Sequence, residues 1–439
     1  MNIIKKTIKN IIKLNNPIII TFLVLIIILT SKYLKKNYYK SRKINILVLN
    51  LDRFHEDVEI LNENSEFNFI KFNQKIFYYF AAPFIDEIRT KLKKQKWWEI
   101  QETHEYRIFI SKYSSFLTKF LKIYFYFNKI HLIITPSFYY FQDTCWDIAA
   151  KNLKIPFFCF FKESTRDKIN LENATKLYKK KKYKFNGDII VVYSIFAKNI
   201  LIKSNITKSS KIRVIGSPRF DHLFGNKKKY NREIITLFSF RHQTADYEMT
   251  EGKTTSGFSN DNEGAVNYFF NVHNTICLAA YKNPNKIFYI KTKFKKGWHD
   301  RIYKIIDEFE KNHNIKLNNI IVDDKINPHN LILKSKLVIG INSTTLIESR
   351  VLNTDVVIPI FDEMSNKMSK YIYFKDYFDE FILAYSKESL LQLINQYLIN
   401  DYSYNKIKNL NMLKNYLGTT TGDNTNKYIK LINEYIKQN

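Results

Sequence analysis

The stretch that most limits how this chain can fold is Leu337–Phe361, LVIGINSTTLIESRVLNTDVVIPIF. Its first five residues are continuously apolar, which predicts a strand buried on both faces. Asn342–Thr345 then supply hydroxyl and amide groups where a helix should begin, and apolar residues follow at helical spacing. Val356–Ile360 has the composition of a second buried strand. Strand, polar turn, helix and strand make a βαβ unit, so this stretch predicts a parallel sheet.

The polar turn of this unit is a candidate anion site. Ligands of parallel sheets bind outside the carboxyl ends of the strands, where a helix N-terminus offers backbone N–H groups and the positive end of its dipole. We therefore expect the phosphate of a ligand to bind at Asn342, Ser343, Thr344 and Thr345. The alternative is that these residues only cap the helix. Glu348, one turn further on, is expected to accept hydrogen bonds from a ribose or sugar hydroxyl; alternatively it only complements the helix dipole.

Strands and helices alternate on both sides of Gly225–Arg232, a basic, glycine-containing segment without apolar periodicity. Before it the sequence predicts strands at residues 43–52, 132–135, 156–161, 188–193 and 211–215, with a helix at 143–153 and mostly helix between about 62 and 128. After it the predicted strands are residues 233–240, 286–291, 319–322, 337–341 and 356–360. At 439 residues the chain is long enough for two domains. The predicted fold is α/β, with two Rossmann-like doubly wound domains at residues 44–225 and 226–439.

Residues 1–43 differ in composition from the rest of the chain. Pro17–Thr30 is apolar apart from two threonines, and lysines are dense on both sides of it. Its 14 residues argue against a full span, but extending the segment to Leu34 gives a helix of about 27 Å, just long enough to span a bilayer if Lys32 snorkels. The denser positive flank follows the segment, so the body of the protein is expected on the cytoplasmic face of a bacterial inner membrane. The alternative is a helix lying in the plane of one leaflet.

The net charge of +29 favours anionic partners such as phospholipid or a nucleotide. No zinc-type cysteine spacing, recognition-helix signature or RNA-binding aromatic motif is present, so nucleic acid is not expected as a partner. Walker-type and Gly-x-Gly-x-x-Gly loops are also absent, which argues against an ATPase or a nicotinamide enzyme. A basic segment, Lys179–Lys182, lies between two tyrosines. It is interpreted either as a solvated loop or as a contact for anionic lipid headgroups.

Several stretches resemble one group of sugar-handling proteins. Ser194–Asp221, which ends in KIRVIGSPRFD, resembles the segment closing the first domain of bacterial surface-polysaccharide glycosyltransferases and CDP-glycerol glycerophosphotransferases. Val338–Phe361 resembles the donor-binding strand, turn and helix of their second domain. Pro156–Glu163 (PFFCFFKE) resembles a first-domain strand that ends in a Lys-Glu pair. The ending GTTTGDNTNKYIKLINEYI is similar to their last helix.

This resemblance covers roughly residues 130–439 and rests on short motifs. It implies the GT-B architecture, in which the second domain holds a nucleotide-activated donor and the first holds the acceptor, usually without a metal. Many relatives carry a Lys-Pro-His-Pro element where this chain has Lys291-Thr292-Lys293-Phe294. Lys293 thus stands at the histidine position, and a lysine neutralises phosphate without the hydrogen-bond geometry of an imidazole.

The expected transfer is inverting, and it needs a base for the acceptor hydroxyl and positive groups for the departing phosphate. Glu163 is the predicted base, and Asp143 and Asp147, placed on one face of a predicted helix, are the runners-up. The alternative for each is an ordinary solvated carboxylate. The predicted phosphate contacts, besides the turn at Asn342–Thr345, are Arg241, His242, Lys291 and Lys293. We expect no catalytic metal and no cofactor apart from the donor substrate.

The sequence thus predicts a membrane-associated glycosyltransferase or polyol-phosphate transferase of GT-B type. It would use a nucleotide-activated donor and a glycan or lipid-linked acceptor. The product would be a cell-envelope polysaccharide, such as a capsule, or a glycolipid. Two alternatives stay open at this point. One is a nucleotide-sugar epimerase of the UDP-N-acetylglucosamine 2-epimerase type, which shares the two-domain architecture. The other is a non-catalytic relative that binds glycan or nucleotide during envelope assembly.

Overall fold

The computed structural model describes residues 16–30, 32–33, 44–71, 74–85, 88–93, 99–140, 143, 145–162, 167–168, 170–225, 231–242, 264–293, 298–366, 368–399, 407 and 409–438. The chain divides into two compact units. The first comprises residues up to 166, 174–221 and those from 415 onward. The second comprises residues 167–173 and 222–414.

Each unit is built on one sheet with helices around it. The strands of the first are β1 (Lys32–Tyr33), β2 (Ile44–Val48), β3 (Phe67–Lys71), β4 (Leu132–Thr135), β5 (Phe157–Phe160), β6 (Ile189–Val192) and β7 (Ile212–Val214). They lie in the order β1-β3-β2-β4-β5-β6-β7. The strands of the second are β8 (Ile234–Phe238), β9 (Ile287–Lys291), β10 (Ile320–Asp323), β11 (Ser335–Gly340), β12 (Asp355–Pro359) and β13 (Ile382–Ala384), in the order β10-β9-β8-β11-β12-β13.

The helices follow in chain order: α1 (Pro17–Thr30), α2 (His55–Asn64), α3 (Gln74–Ile85), α4 (Arg89–Leu92), α5 (His104–Phe127), α6 (Trp146–Asn152), α7 (Asn170–Lys180), α8 (Ile195–Lys203), α9 (Asp221–Phe224), α10 (Val266–Lys282), α11 (Trp298–His313), α12 (Pro328–Lys334), α13 (Thr344–Val351), α14 (Lys387–Ile399), α15 (Leu410–Leu417) and α16 (Asn424–Gln438).

Parallel pairing explains why the strands are apolar runs. All described pairs except β1 with β3 are parallel, and every residue of β4, β5, β6 and β12 is buried. Helices cover both faces of such a sheet, so its strands lose the alternation of polar and apolar residues. The predicted α/β class with two doubly wound domains is confirmed at this level.

Three strands and one helix differ from the sequence predictions. Strand β1 pairs with β3, so the helix predicted to extend to Leu34 ends at Thr30. Phe67–Lys71 is strand β3, although the stretch around it was predicted to be mostly helix, because its aromatic residues pair with β2 at the edge of the parallel sheet. Strand β13 was not predicted. The helix predicted from residue 143 begins only at Trp146, since Cys145 adopts a left-handed φ of 74°. Asp143 therefore precedes this helix, and the prediction that it shares a helix face with Asp147 is wrong.

The first unit is closed by the last helix of the chain. Asp221 accepts hydrogen bonds from Asn424 N at 3.1 Å and from Thr425 N and Oγ1, each at 2.6 Å, so it caps the start of α16. On that helix Tyr428 and Ile432 are buried in the same apolar cluster as β2, β4 and β5. The expected domain division placed residues 226–439 together, whereas residues 415–438 group with the first sheet.

Gly216 makes this closure possible. Its φ is +88°, and a Cβ added there would lie 2.0 Å from the carbonyl oxygen of Leu417. Glycine adopts this conformation without the steric cost that other residues meet. Its own carbonyl accepts a hydrogen bond from Tyr428 Oη at 3.0 Å. The turn in the GSPRFD motif is therefore a docking point for α16.

Helix α1 is 14 residues long and packs on α5 in the first unit. Ile20 and Val24 are buried, whereas Ile18 and Phe22 are 79% and 64% exposed. Within the described ranges, no helix is both long enough and apolar enough to cross a bilayer. Of the basic residues that flank α1 in the sequence, Lys32 lies in β1 and the others are outside the described residues.

Candidate functional site

The strand order of the second sheet indicates where a ligand should bind. Counted from β8, the order is third, second, first, fourth, fifth, sixth, which is that of dinucleotide-binding doubly wound sheets. The winding reverses between β8 and β11. Ligands of such sheets bind outside the carboxyl ends of the strands at this switch point. The candidate site therefore comprises the residues that follow β8 and β11, at 239–242 and 341–345.

The end of β11 is shaped for close packing of the next helix. A Cβ on Gly340 would lie 3.0 Å from Leu346 Cδ2 and 3.3 Å from the carbonyl oxygen of Phe238, so glycine allows α13 to approach the strand. Asn342 follows with a φ of 50°. Its side chain is used internally: Oδ1 accepts from Tyr373 N at 2.8 Å, and Nδ2 donates to a backbone carbonyl at 2.9 Å. Asn342 thus holds the turn against residues 371–373.

Ser343 is the N-cap of α13. Its Oγ accepts a hydrogen bond from Thr345 N at 3.3 Å and lies 2.8 Å from Thr345 Oγ1. Ser343, Thr344 and Thr345 are all partly exposed. The turn is therefore a cap, as one alternative predicted, and it also presents hydroxyl groups at the carboxyl edge of the sheet.

The N-terminus of α10 differs from that of α13. Both oxygens of Glu363 accept backbone hydrogen bonds there, from Asn267 N at 3.0 Å and from Tyr268 N at 2.8 Å. A carboxylate of this chain therefore already occupies the positive end of α10. Among the described residues, the first turn of α13 has only the Ser343 hydroxyl as a side-chain acceptor. Of these two helix ends, α13 is the one that can receive an external anion.

A neutral hydrogen-bond chain fixes the loop after β8. Trp298 Nε1 donates to Ser239 Oγ at 2.9 Å, and that hydroxyl donates to His273 Nε2 at 2.9 Å. His273 Nδ1 donates to the carbonyl of Phe269 at 2.7 Å. Burial lowers the pKa of His273 to about 4, so the ring is neutral at pH 7. The guanidinium of Arg241 lies 5.7 Å from the centre of the Trp298 ring, a cation–π distance.

The other predicted phosphate contacts occupy different environments. His242 is buried, and its Nδ1 accepts a hydrogen bond from Arg301 at 3.2 Å. Lys291 is also buried, and its ammonium donates to the carbonyls of Thr292 and Asp324 at 2.8 and 2.9 Å. Burial lowers the pKa of Lys291, while Asp323 and Asp324 oppose this effect. Lys293, two residues past the strand end, is exposed.

Glu348 lies at the predicted position, one turn into α13, but it has a partner that the sequence did not indicate. Its Oε2 is 2.8 Å from His329 Nε2, and His329 Nδ1 is 2.9 Å from His222 Nε2. Neither histidine was predicted to belong to the site. Each is more than 18 positions from Glu348 in the chain, and no local spacing pattern links the three residues.

The first sheet has its own switch point, between β2 and β4. Three residues meet there: Asn50, two positions past β2; Thr135, the last residue of β4; and the buried Asp143. Asn50 Nδ2 donates to Asp143 Oδ1, and Thr135 Oγ1 lies 3.1 Å from Asp143 Oδ2. Asp143, a runner-up for the catalytic base, thus lies where a ligand of this sheet is expected.

The hydrogen bonds indicate that Asp143 is protonated. Thr135 Oγ1 lies within hydrogen-bond distance of both Asp143 Oδ2 and the carbonyl of Ser137, at 3.1 and 3.2 Å. A hydroxyl has one hydrogen to donate, so both contacts are hydrogen bonds only if Asp143 itself donates to Thr135. Burial raises the pKa of Asp143 to about 8, against the lowering effect of hydrogen bonds from Thr135 and Asn50. Near neutral pH Asp143 is therefore a hydrogen-bond donor, unsuited to act as a base.

Two further predictions have different outcomes. Glu163 lies outside the described residues, so its role as the base stays a prediction. Part of the basic segment at 179–182 is engaged within the first unit: Lys182 forms an ion pair with Glu102, and the Lys181 ammonium lies 5.7 Å from the centre of the Tyr183 ring. Across the described ranges, no cluster of three His, Cys, Asp or Glu side chains is arranged to hold a metal ion.

No protein-family model matches the sequence, and no curated protein matches it. Solved structures do resemble the fold at low sequence identity. UDP-GlcNAc 2-epimerase from Methanocaldococcus jannaschii is 13% identical, with a TM-score of 0.47, over 89% of this chain and 99% of that one. A glycosyltransferase from Rickettsia africae is 14% identical, with a TM-score of 0.46, over 90% and 100%. The wall teichoic acid polymerase TagF is 12% identical, with a TM-score of 0.41, over 73% and 76%.

Replacing Asp143 by Asn should flatten the pH dependence of stability between about pH 4 and 8. The unfolded chain loses the Asp143 proton near pH 3.8, whereas the folded chain keeps it until about pH 8. The folded state then binds more protons than the unfolded state, so this group makes stability fall as pH rises through that window. Asparagine retains the donor and the acceptor of the protonated acid without this loss.

The measurement is the denaturant midpoint at several pH values. We expect Asp143→Asn to match the unmodified protein at pH 4 and to exceed it at pH 8. Asp52→Asn, which changes an exposed carboxylate in the same unit, serves as the control and should leave the pH profile in place. An Asp143→Asn profile parallel to that of the unmodified protein would show that Asp143 is ionised in the folded state.

Proposed function

We propose that this protein is a transferase that moves a sugar or polyol-phosphate unit from a nucleotide-activated donor to a cell-envelope glycan or lipid-linked acceptor. The observation that carries the proposal is the second unit's strand order, which brings the Ser343–Thr345 turn to the switch point of a dinucleotide-binding type of sheet. The donor phosphate would bind at the first turn of α13, with Arg241 and Lys293 as the nearby positive charges that compensate the departing phosphate.

The first unit would hold the acceptor. Its switch point carries the neutral Asp143 network instead of positive charges, which suits hydroxyl groups better than phosphate. Glu163, three residues beyond β5, is the proposed base that takes the proton of the acceptor hydroxyl. The proposed transfer uses the donor as its only small-molecule partner and needs no metal.

The donor site is tested by replacing both Ser343 and Thr344 with Val. Branched apolar side chains remove two hydroxyl groups and hinder approach of an anion to the helix end. We expect the affinity for whichever of UDP, CDP, GDP and CMP binds the unmodified protein to fall about ten- to hundredfold, since a hydrogen bond to a charged group contributes roughly 1.5–3 kcal/mol. Isothermal titration calorimetry gives the affinities.

The matched control is Ser194→Val. Ser194 caps α8 in the first unit, accepting from Ala197 N at 3.1 Å, so both variants lose a cap contribution of about 0.5–2 kcal/mol. Only the Ser343/Thr344 pair should lose nucleotide affinity. If the double variant and the unmodified protein have equal nucleotide affinity, the turn only caps the helix and the donor does not bind at α13.

The base is tested by Glu163→Gln, which preserves size but removes proton acceptance. Turnover of a nucleotide-activated donor should fall by about 10²–10⁴-fold while nucleotide affinity barely changes. Glu172→Gln, an exposed position on α7, is the control and should keep full turnover. Retained activity in Glu163→Gln places the base elsewhere. Donor that is converted without any acceptor present would instead support the epimerase alternative.

We further propose that α1 contacts the inner membrane in the plane of its cytoplasmic leaflet. Pro17–Thr30 contains no charged residue, and one of its faces exposes Ile18, Phe22 and Leu25 while Ile20 and Val24 are buried. An exposed apolar helix face of this kind binds at the boundary between headgroups and acyl chains. The lysines before and after α1 in the sequence add attraction to anionic lipid.

Vesicle sedimentation tests this contact. Replacing Ile18 and Phe22 by Ser should lower the fraction of protein bound to phosphatidylglycerol-containing vesicles severalfold, because each buried CH₂ contributes about 0.8 kcal/mol. Tyr303→Ser is the control, since Tyr303 is an exposed aromatic residue on α11 of the second unit. Binding that is unchanged in the Ile18/Phe22 variant, or lowered equally in both variants, contradicts the proposal.

A further inference from the structure

Three ionisable side chains form a continuous line in the second unit. Glu348 on α13 is buried at 4% exposure, and its Oε2 lies 2.8 Å from His329 Nε2. The His329 side chain is 17% exposed, and its Nδ1 lies 2.9 Å from His222 Nε2. His222 is exposed. The line thus leads from a buried carboxylate to an imidazole at the surface of the unit.

Local structure holds this line at the carboxyl edge of the sheet. Asn327 caps α12, its Oδ1 accepting from His329 N at 2.9 Å and from Asn330 N at 3.2 Å. Helix α12 starts after the carboxyl end of β10, and α13 starts after the carboxyl end of β11. His329 and Glu348 both lie in or just past the first turn of their helices, so they lie at the same edge as the Ser343–Thr345 turn.

Hydrogen counting fixes how this line is protonated. His329 Nε2 donates to the Glu348 carboxylate, so His329 Nδ1 is an acceptor when that ring is neutral, and His222 Nε2 then donates to it. Adding one proton to the pair preserves both hydrogen bonds, with the charge on either ring. Adding two protons puts hydrogens on both facing nitrogens and breaks the contact between the rings. Both contacts are therefore compatible with one added proton on the pair and incompatible with two.

The charges around the pair favour this single proton. On α13, which packs against α12, Arg350 is turned to Asp355 at 2.9 Å and Glu380 at 3.9 Å, so Glu348 is the charged group of that helix that faces His329. The charged residue of β11 is Lys336, at the opposite, amino end of the strand, and β8 carries no ionisable side chain. A carboxylate beside an imidazole favours its charged form.

This arrangement removes an electrostatic conflict at the donor site. Glu348 lies four residues beyond Thr344, about 6 Å along the helix axis. A phosphate at the start of α13 and an ionised, buried Glu348 would repel each other at that separation. One proton on the His222–His329 pair cancels the charge of Glu348. Phosphate binding and protonation of the pair should therefore be coupled.

We propose that Glu348, His329 and His222 form a proton relay for the donor phosphate, in which Glu348 and His329 are positioning residues and His222 is the group that meets the phosphate. This inference rests on the proposed donor site. In the transfer step the bond between the transferred unit and the nucleoside phosphate breaks, and its electron pair leaves on the phosphate oxygen. The acceptor hydroxyl forms the new bond and gives its proton to the base. His222 donates its proton to the departing oxygen and recovers one from water.

The test compares nucleotide affinity at pH 6 and pH 9 in the full chain and in His222→Gln, using UDP, CDP, GDP and CMP as probes. At each pH, the affinity of the unmodified protein is divided by that of His222→Gln, and this ratio cancels the titration of the nucleotide itself. We expect the unmodified protein to bind at least tenfold more tightly than His222→Gln at pH 6 and equally at pH 9, which is well above the ordinary pKa range of an imidazole. Glu348→Gln should also abolish this pH-dependent advantage, because the pair loses the carboxylate that favours its charge.

His313→Gln is the matched control. His313 is a histidine of the same unit whose Nδ1 bonds the carbonyl of Phe309 at 2.9 Å on α11, and this variant should behave as the unmodified protein at both pH values. Circular dichroism of each variant checks the fold, and the exposed position of His222 makes its replacement the least disruptive.

The outcomes separate the relay from the donor site. If the unmodified protein binds nucleotide and the ratio of its affinity to that of His222→Gln is the same at pH 6 and pH 9, the relay is overturned and the donor site stays in place. An unaltered pH dependence in Glu348→Gln also overturns the relay, because His222 would then act independently of Glu348. If the unmodified protein binds none of the four nucleotides, the proposed donor site is overturned. The relay then also loses the substrate assigned to it.

Discussion

Parallel pairing of the strands is the constraint on which both candidate sites depend. A parallel pair aligns the carboxyl ends of its strands at one edge, and each return connection crosses a face of the sheet. Residues far apart in sequence therefore meet where the winding reverses. In the first sheet these are Asn50 and Thr135, which share Asp143; in the second they are the segments after β8 and β11. The same topology gives the first sheet a neutral, hydrogen-bonding edge and the second an edge with a helix N-terminus, Arg241 and histidines.

Carboxylates that accept backbone hydrogen bonds hold parts of each unit in place. Asp57 accepts from Arg219 N at 3.1 Å and from Tyr193 Oη at 3.2 Å, which fixes the GSPRFD turn on α2. Asp221 caps α16, and Glu363 caps α10. Each carboxylate is stabilised by hydrogen bonds from backbone N–H groups. Because removing water from a charge is costly, a buried acid without such partners would be unstable.

The apolar runs were sufficient to predict most strands of both sheets, because a strand buried on both faces leaves a continuous apolar segment in the sequence. The same rule failed for Phe67–Lys71, where one strand is embedded in an aromatic-rich, largely helical region. Cys145 shows a second limit: a single left-handed residue separated Asp143 from the helix predicted to contain it. The turn at residues 342–345 was predicted from composition alone. The backbone partners of Asn342 at residues 371 and 373, and the contact of His329 with Glu348, could not be predicted, since only the tertiary fold brings these residues together.

The charge balance explains why carboxylates are more informative than lysines in this chain. With a net charge of +29, any sequence position near a strand end has a high chance of being lysine, so Lys291 gave no sign that its ammonium binds two backbone carbonyls. A buried acid is rarer and must have a partner. Glu348 is such an acid: it lies one turn beyond the helix start expected to bind phosphate, where a negative charge would oppose that ligand. His329 lies 2.8 Å from this carboxylate and 2.9 Å from His222. The proposed relay follows from this opposition: one proton shared by the two imidazoles would offset the charge of Glu348 beside a phosphate on α13.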